Sequence, residues 1–152
     1  MPTAVRKFLA LDAAGRRLFL QACRQLGTVR WALRRTPFKQ LTTGLTVHRS
    51  AIAAAAVSPA EQATAERVGW AVRAASRYTP WSSSCLVQVL AAQRMLQERA
   101  IPGAIYIGAA PGNGDSGTVG LEAHAWLKCG ERFITGEAGH QRYTVVSTFR
   151  WP

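Results

Sequence analysis

The sequence predicts an α+β fold in which helices come first and an antiparallel sheet follows. Before Ile101-Pro102-Gly103, apolar side chains recur every three or four residues, a spacing typical of helices. After it, short apolar runs alternate with glycine-containing turns, as strands do. The chain has 152 residues, 48% of them hydrophobic, which is enough for one domain with a buried core. We expect residues 1–57 to form a basic helical region that packs on or extends a core at 58–152.

The first long helix is predicted from its cap and its apolar spacing. Asp12 can accept a hydrogen bond from the free amides of a first helical turn. Apolar residues then follow at helical intervals from Leu18 to Leu33. Pro37 ends this helix or starts the next short element, because the residue before a proline avoids the helical conformation.

Two further helices have clear starts. Residues 58–61, Ser-Pro-Ala-Glu, form a capping box with proline in the first turn, and the helix ends before Pro80. The next helix is predicted from Leu86 to Arg99, with Ser83 or Ser84 as its cap. The break at residues 101–103 then ends the helical part of the chain.

The sheet is predicted from four apolar runs. Residues 111–117 are rich in glycine and small polar side chains, which is typical of a loop. Gly130-Glu131 lies between two of the runs and predicts a tight hairpin turn. The four predicted strands are residues 104–109, 119–129, 132–137 and 143–149.

The charge is strongly positive and unevenly distributed. Nineteen basic and eight acidic residues give a net charge of +11. Residues 1–50 hold ten of the basic residues and one acid, so they carry nine of the eleven net charges. This favours an anionic partner, such as an acidic peptide, a membrane surface or nucleic acid, or simply a solvated basic face. No apolar run reaches the roughly 18–20 residues of a membrane span.

The three cysteines, Cys23, Cys85 and Cys129, are widely spaced and odd in number. Such a set is a poor disulfide framework and fits a reducing, cytoplasmic compartment. Cys23 lies in an amphipathic helix and Cys129 at a hairpin end, so both are predicted to be packing residues. Cys85 begins a helix, where unpaired amides stabilise an anion such as a thiolate, and it is the candidate nucleophile.

His124 is the candidate base, because a nucleophilic thiol needs an imidazole to take its proton. If Gly130-Glu131 is a two-residue turn, counting back along the hairpin places Glu137 opposite His124. Glu137 would then orient the imidazole, although a slip of one residue would undo the pairing. His140 and His48 are alternative bases, and each is more easily explained as a surface residue.

A nucleophile on a helix, followed by a base and an acid on an antiparallel sheet, is the arrangement of the papain and transglutaminase superfamily. The chain further resembles the B protein, the protease of lasso-peptide biosynthesis. Three stretches within residues 65–149 carry the resemblance, namely Ser84 to Ala92, Leu96 to Gly108, and Ala123-His124-Ala125-Trp126-Leu127.

The resemblance implies a cysteine protease that removes the leader from a ribosomally made precursor, so that a cyclase can use the freed amine. Residues 1–57 do not read as the winged-helix module that holds the leader in many members. The resemblance therefore implies a stand-alone protease that works with a leader-binding protein and a lasso cyclase. Trp81 and Trp126 are expected to wall the substrate cleft, and no cofactor or metal is expected.

The sequence departs from the family at the third catalytic position. Many members carry an acid twelve residues after the histidine, and that position is Gly136 here. Glu137 follows one residue later and is our expected third member. Glu131, seven residues after the histidine, is the alternative, and a dyad without an acid is also open.

Three other functions remain open on the sequence. A zinc site could use Cys85, Cys129, His124 and His140, although no Cys-x-x-Cys or His-x-x-x-His pair is present. A nucleic-acid-binding module would explain the charge, but no recognised motif accompanies it. A transglutaminase or other acyltransferase would use the same dyad, with an amine in place of water.

Overall fold

The structure, a computed structural model, describes residues 2–42, 45–48, 55–81, 83–111 and 121–151. Most of the predicted loop at 111–117 therefore lies outside the described residues. None of the described helices has the length and apolar character needed to cross a bilayer. The elements are α1 Pro2–Ala10, α2 Ala13–Arg35, α3 Phe38–Leu41, β1 Thr46–His48, α4 Pro59–Tyr78, α5 Cys85–Glu98, β2 Gly103–Pro111, β3 Leu121–Cys129, β4 Arg132–Thr135, a 3₁₀ turn at His140–Arg142, and β5 Thr144–Trp151.

The predicted fold class, helices followed by an antiparallel sheet, is confirmed. The described strands form one antiparallel sheet in the order β1-β5-β2-β3-β4. The strand β1 was not predicted, because it lies in the region that was expected to be helical. It is three residues long, and within the described ranges it pairs with β5 alone, at the edge of the sheet. Tertiary pairing therefore decides its conformation, and three residues are too few for a periodic signal.

The predicted helix caps are present. Asp12 accepts a hydrogen bond from an amide in the first turn of α2, at 2.7 Å. The capping box of α4 has both arms, with the Ser58 hydroxyl and the Glu61 carboxylate each accepting from the other residue's amide. The Ser84 hydroxyl accepts from the amide of Val87, so Ser84 is the cap that places Cys85 first in α5.

The main hydrophobic core lies between the sheet and three helices. Helix α2 packs against α4 and α5, and its Leu26 and Val29 are fully buried in this core. Leu127 of β3 belongs to the same core. On the opposite face of the sheet, Tyr106 and Trp126 form a second, smaller cluster with Ala104. The two faces of β3 are thus both buried, and residues along it alternate between the two clusters.

The hairpin between β3 and β4 has the predicted turn but a different register. The two pairs next to the turn are those predicted, Cys129 with Arg132 and Lys128 with Phe133. Leu127 then pairs with Thr135, so Ile134 is an extra residue that forms a β-bulge.

The predicted pairing of His124 with Glu137 is therefore wrong. The bulge shifts the register by one residue, and β4 ends at Thr135 rather than continuing to Glu137. His124 pairs instead with Gly108 on the other side of β3. A bulge shows no signal in a two-residue hydrophobic alternation, and for this reason the hairpin count missed it.

Candidate active site

A cavity of about 620 Å³ opens where α4, α5 and the chain after β4 meet. The three residues predicted for catalysis, Cys85, His124 and Glu137, all line it. Two polar residues that the sequence did not single out, Arg73 and Gln88, line it as well. The fold thus gathers residues from four separate parts of the chain at one site.

The cavity runs around the edge of the sheet. Phe133, which packs on the smaller cluster, and Ile134, which is buried in the main core, both border it. The His124 ring lies on the side of the smaller cluster, 5.7 Å from Trp126 and 5.2 Å from Tyr143 between ring centroids. Because β4 pairs with β3 only from Leu127 onward, the edge beside His124 is left for the segment that follows β4.

Cys85 lines the cavity on the side of the sheet that the helices cover. It is half-buried, packs on the main core and is the first residue of α5, behind the Ser84 cap. The first amides of a helix have no acceptor within the helix, so the thiol stands at the positive end of the α5 dipole. No hydrogen bond joins Cys85 Sγ to His124 in the described part of the chain, and all three cysteines are free thiols.

His124 has one ring nitrogen fixed by the main chain. Its Nε2 atom lies 2.8 Å from the carbonyl oxygen of Gly136. A carbonyl oxygen can only accept, so Nε2 carries the hydrogen of the neutral imidazole. Nδ1 then keeps its lone pair, which is the form that can take a proton from a thiol.

Gly136 can offer its carbonyl because it is glycine. Its φ of +79° lies in the left-handed region that side chains disfavour. A Cβ here would also lie 2.8 Å from Cα of Trp126 and still closer to the carbonyl oxygen of Ala125. The position at which many lasso B proteins carry an acid, twelve residues after the histidine, thus supplies a main-chain oxygen.

Glu137 interacts with Arg73. Burial lowers the pKa of the Arg73 guanidinium, the nearby Arg77 lowers it further, and Glu137 raises it. The Glu137 main-chain oxygen accepts from Nδ1 of His140 at 2.7 Å, which orders the segment after β4. The alternative acid, Glu131, is in the hairpin turn with its side chain 87% exposed, and it is not among the residues that line the cavity.

Neither tryptophan expected in the cleft is among the residues that line this cavity. The half-buried ring of Trp81 packs over Gly27 of α2. Trp126 is 4% exposed, and its ring stacks on Tyr106 with a centroid separation of 5.9 Å. Trp126 also flanks His124, so it contributes to the surroundings of the imidazole rather than to the wall of the cavity.

The other cysteines lie in packing positions. Cys129 is fully buried, its thiol donates to the carbonyl of Pro102 at 3.3 Å, and burial raises its pKa to about 11. Burial also raises the pKa of Cys23. Within the ranges that the structure describes, no three His, Cys, Asp or Glu side chains come together as a metal site requires. The side chain of His48 lies outside the described residues.

Of the two polar cavity residues that were not predicted, Gln88 carried a sequence signal. Gln88 is three residues after Cys85 in the same helix, which puts both on one face. Its Nε2 donates to the carbonyl of Ser83 at 3.2 Å. Arg73 had no such signal, because its place in the site depends on how α4 packs on β4.

Comparison with known proteins agrees with this fold. No curated protein and no solved structure matches the chain. The model of the transglutaminase-like superfamily matches residues 11–148, which include every residue that lines the cavity. The superfamily includes cysteine peptidases. The chain therefore belongs to the transglutaminase-like superfamily.

Proposed function

We propose that the protein is a cysteine peptidase that cleaves a peptide bond by acyl transfer to water. One observation carries the proposal. Cys85 at the start of α5 and His124, whose Nδ1 is left free by the bond from Nε2 to Gly136, line the same cavity. Thiol and base need no further group to begin acyl transfer, and the hydrogen bond between such a pair is often long or poorly aligned until substrate binds.

In the first half-reaction, Nδ1 of His124 takes the thiol proton and Cys85 Sγ attacks the scissile carbonyl carbon. The carbon–nitrogen bond then breaks, the imidazolium gives its proton to the leaving amine, and a thioester remains. In the second half-reaction, His124 takes a proton from water and the hydroxide attacks the thioester. The carbon–sulfur bond then breaks, the imidazolium returns its proton to Cys85 Sγ, and the carboxylic acid product ionises. The products are a carboxylate and the regenerated thiol.

The negative oxygen of each tetrahedral intermediate needs hydrogen-bond donors. The main-chain amide of Cys85 is one, because it points along the axis at the positive end of α5. Gln88 is our candidate for the second, since its side-chain amide lines the cavity and only one of its hydrogens goes to Ser83. Gly136 orients the imidazole, and Glu137 contributes negative charge beside it, as the third member of the site.

The substrate we propose is the precursor of a lasso peptide, cut between leader and core in the cytoplasm. The resemblance to lasso B proteins supports this class of substrate. The excess of basic residues in the first 50 supports an acidic partner, either the leader or the leader-binding protein. The amine released by the cut would then pass to the lasso cyclase.

The experiment is incubation of the full chain with the precursor peptide, with and without the leader-binding protein, followed by mass spectrometry. We expect two fragments whose masses sum to that of the precursor plus one water. Cys85→Ala and His124→Ala should lower the cleavage rate at least 10³-fold, the scale on which catalytic dyads act. Cys23→Ser, which removes a thiol outside the cavity, is the matched control and should cleave at the wild-type rate. Cleavage by Cys85→Ala at that rate would refute the scheme.

The superfamily match supports one alternative, transfer of the acyl group to an amine. The same thioester would form, and a primary amine would attack it in place of water. Adding a biotin-labelled alkylamine to the reaction separates the two functions. A peptidase gives unlabelled acid fragments, whereas a transglutaminase gives a labelled amide in an amount that depends on Cys85.

A further inference from the structure

The guanidinium of Arg73 connects α4 to the strand that leads into the active site. Its Nη1 atom donates a hydrogen bond to the carbonyl oxygen of Ile134, across 61 residues of sequence. Arg73 also lines the cavity that holds Cys85 and His124. The side chain therefore binds the main chain of β4 from within the candidate active site.

Gly69 makes this contact possible. A Cβ at this position would lie 2.6 Å from the Ile134 carbonyl oxygen and 2.9 Å from Nη1 of Arg73. Residues 69 and 73 are one turn apart on the same face of α4. The strand carbonyl and the guanidinium thus share the space left by the missing side chain, and helix and strand approach closely there.

Ile134 anchors the last residues of β4. It is the extra residue of the β-bulge, and its side chain is buried in the main core. The ladder with β3 stops at Thr135, one residue later. Gly136, whose carbonyl holds Nε2 of His124, comes next. Among the described residues no ladder pair fixes Gly136 itself, so its position follows from the anchored bulge before it.

We propose that Arg73 is a positioning residue that holds the Ile134 bulge in place and, through it, keeps the Gly136 carbonyl on Nε2 of His124. Its effect on catalysis rests on the proposed peptidase function, whereas its effect on the imidazole does not. Removing the guanidinium leaves the Ile134 carbonyl without its donor between α4 and β4. The bulge then shifts toward another partner, and the bond from His124 to Gly136 is lost.

The first measurement is nitrogen-15 NMR of the histidine side chains, which distinguishes the two neutral tautomers of His124 above the pH at which it is protonated. In the wild-type chain we expect a single tautomer with hydrogen on Nε2. Arg73→Ala should give a mixture of tautomers. Arg77→Ala is the matched control, because it removes the same charge one turn further along α4 and should keep the wild-type spectrum. Arg73→Lys, which retains a charged donor, should lie between the two.

The second measurement is precursor cleavage by the same variants. We expect Arg73→Ala to lower kcat at least 10-fold with KM within threefold, and Arg73→Lys to recover part of the loss. A single wild-type tautomer in Arg73→Ala, or an Arg77→Ala spectrum equal to that of Arg73→Ala, overturns the inference. A rise in KM without a fall in kcat also overturns it, since Arg73 would then bind substrate. If Arg73→Ala does not fold, the spectra of Arg73→Lys and Arg77→Ala decide. A mixture of tautomers in Arg73→Lys alone supports the inference, and equal spectra overturn it. If the wild-type chain cleaves nothing, the peptidase proposal fails and the tautomers alone decide the role of Arg73.

Discussion

Replacing Gly136 by alanine tests whether a main-chain carbonyl orients His124. The φ of +79° costs an alanine about 1–2 kcal/mol. The added Cβ would lie 2.8 Å from Cα of Trp126, so the backbone must move and the carbonyl leaves Nε2. A hydrogen bond to a group that becomes charged in the transition state is worth about 1.5–3 kcal/mol. Its loss should lower kcat/KM about 10- to 150-fold.

Gly139→Ala is the matched control. Gly139 has the same φ of +79°, but a Cβ there meets no atom within 4 Å. It therefore carries the backbone cost without the collision. The assays are kcat/KM for precursor cleavage, the rate of Cys85 alkylation by iodoacetamide located by peptide mapping, and urea unfolding. Equal kcat/KM in Gly136→Ala and Gly139→Ala, with both chains folded, would refute the role of the carbonyl.

Three further predictions concern stability. Burial raises the pKa of the folded Cys129 thiol from its ordinary value of 9.0 to about 11, so folded chains hold more protons than unfolded chains between these values. Stability therefore falls as pH rises through this range. Between pH 8 and pH 11, urea unfolding should show a loss of stability that is about 2 kcal/mol larger in the wild-type chain than in Cys129→Ala. Ser84→Ala removes the α5 cap and should cost about 1 kcal/mol in the same assay, whereas a change under about 0.3 kcal/mol, the usual scatter of such data, would contradict it. Leu26→Ala empties a fully buried position and should cost about 2–5 kcal/mol, whereas Leu20→Ala, at a residue 56% exposed, should change stability by less than about 0.5 kcal/mol.

The parts of the fold that depend on local chemistry could be predicted from sequence. Asp12, Ser58 and Ser84 cap helices where predicted, because a cap needs only its own side chain and the amides of the next turn. The tight turn at 130–131 is likewise local. Strand β1 was missed, since a three-residue edge strand forms only through its pairing with β5.

The arrangement of the site could be predicted only in part. The order of Cys85 and His124 along the chain, and the helix start at Cys85, were enough to select the two residues that line one cavity. The group bonded to Nε2 was missed, because β4 ends at Thr135 and the ladder that the hairpin count assumed does not reach His124. The hairpin count placed Glu137 opposite the histidine, whereas the main chain of the residue before it makes the contact.

An orienting carbonyl differs physically from an orienting carboxylate. It carries no net charge, so it stabilises an imidazolium less, and the chain gives up part of that stabilisation unless Glu137 supplies it nearby. In return, a carbonyl cannot be protonated, so the hydrogen on Nε2 stays fixed at acidities where a carboxylate orienter would gain a proton. The Gly136 carbonyl also belongs to the main chain, so a side-chain substitution removes it only by moving the backbone. A residue at this position must in addition tolerate a φ near +79°.

Glu137→Gln separates the orienting effect of the carbonyl from the charge of the carboxylate. The imidazole should keep its tautomer by nitrogen-15 NMR, while kcat should fall because the negative charge that stabilises the imidazolium is lost. Loss of the tautomer in Glu137→Gln would mean that the carboxylate, and not the carbonyl of Gly136, holds the ring.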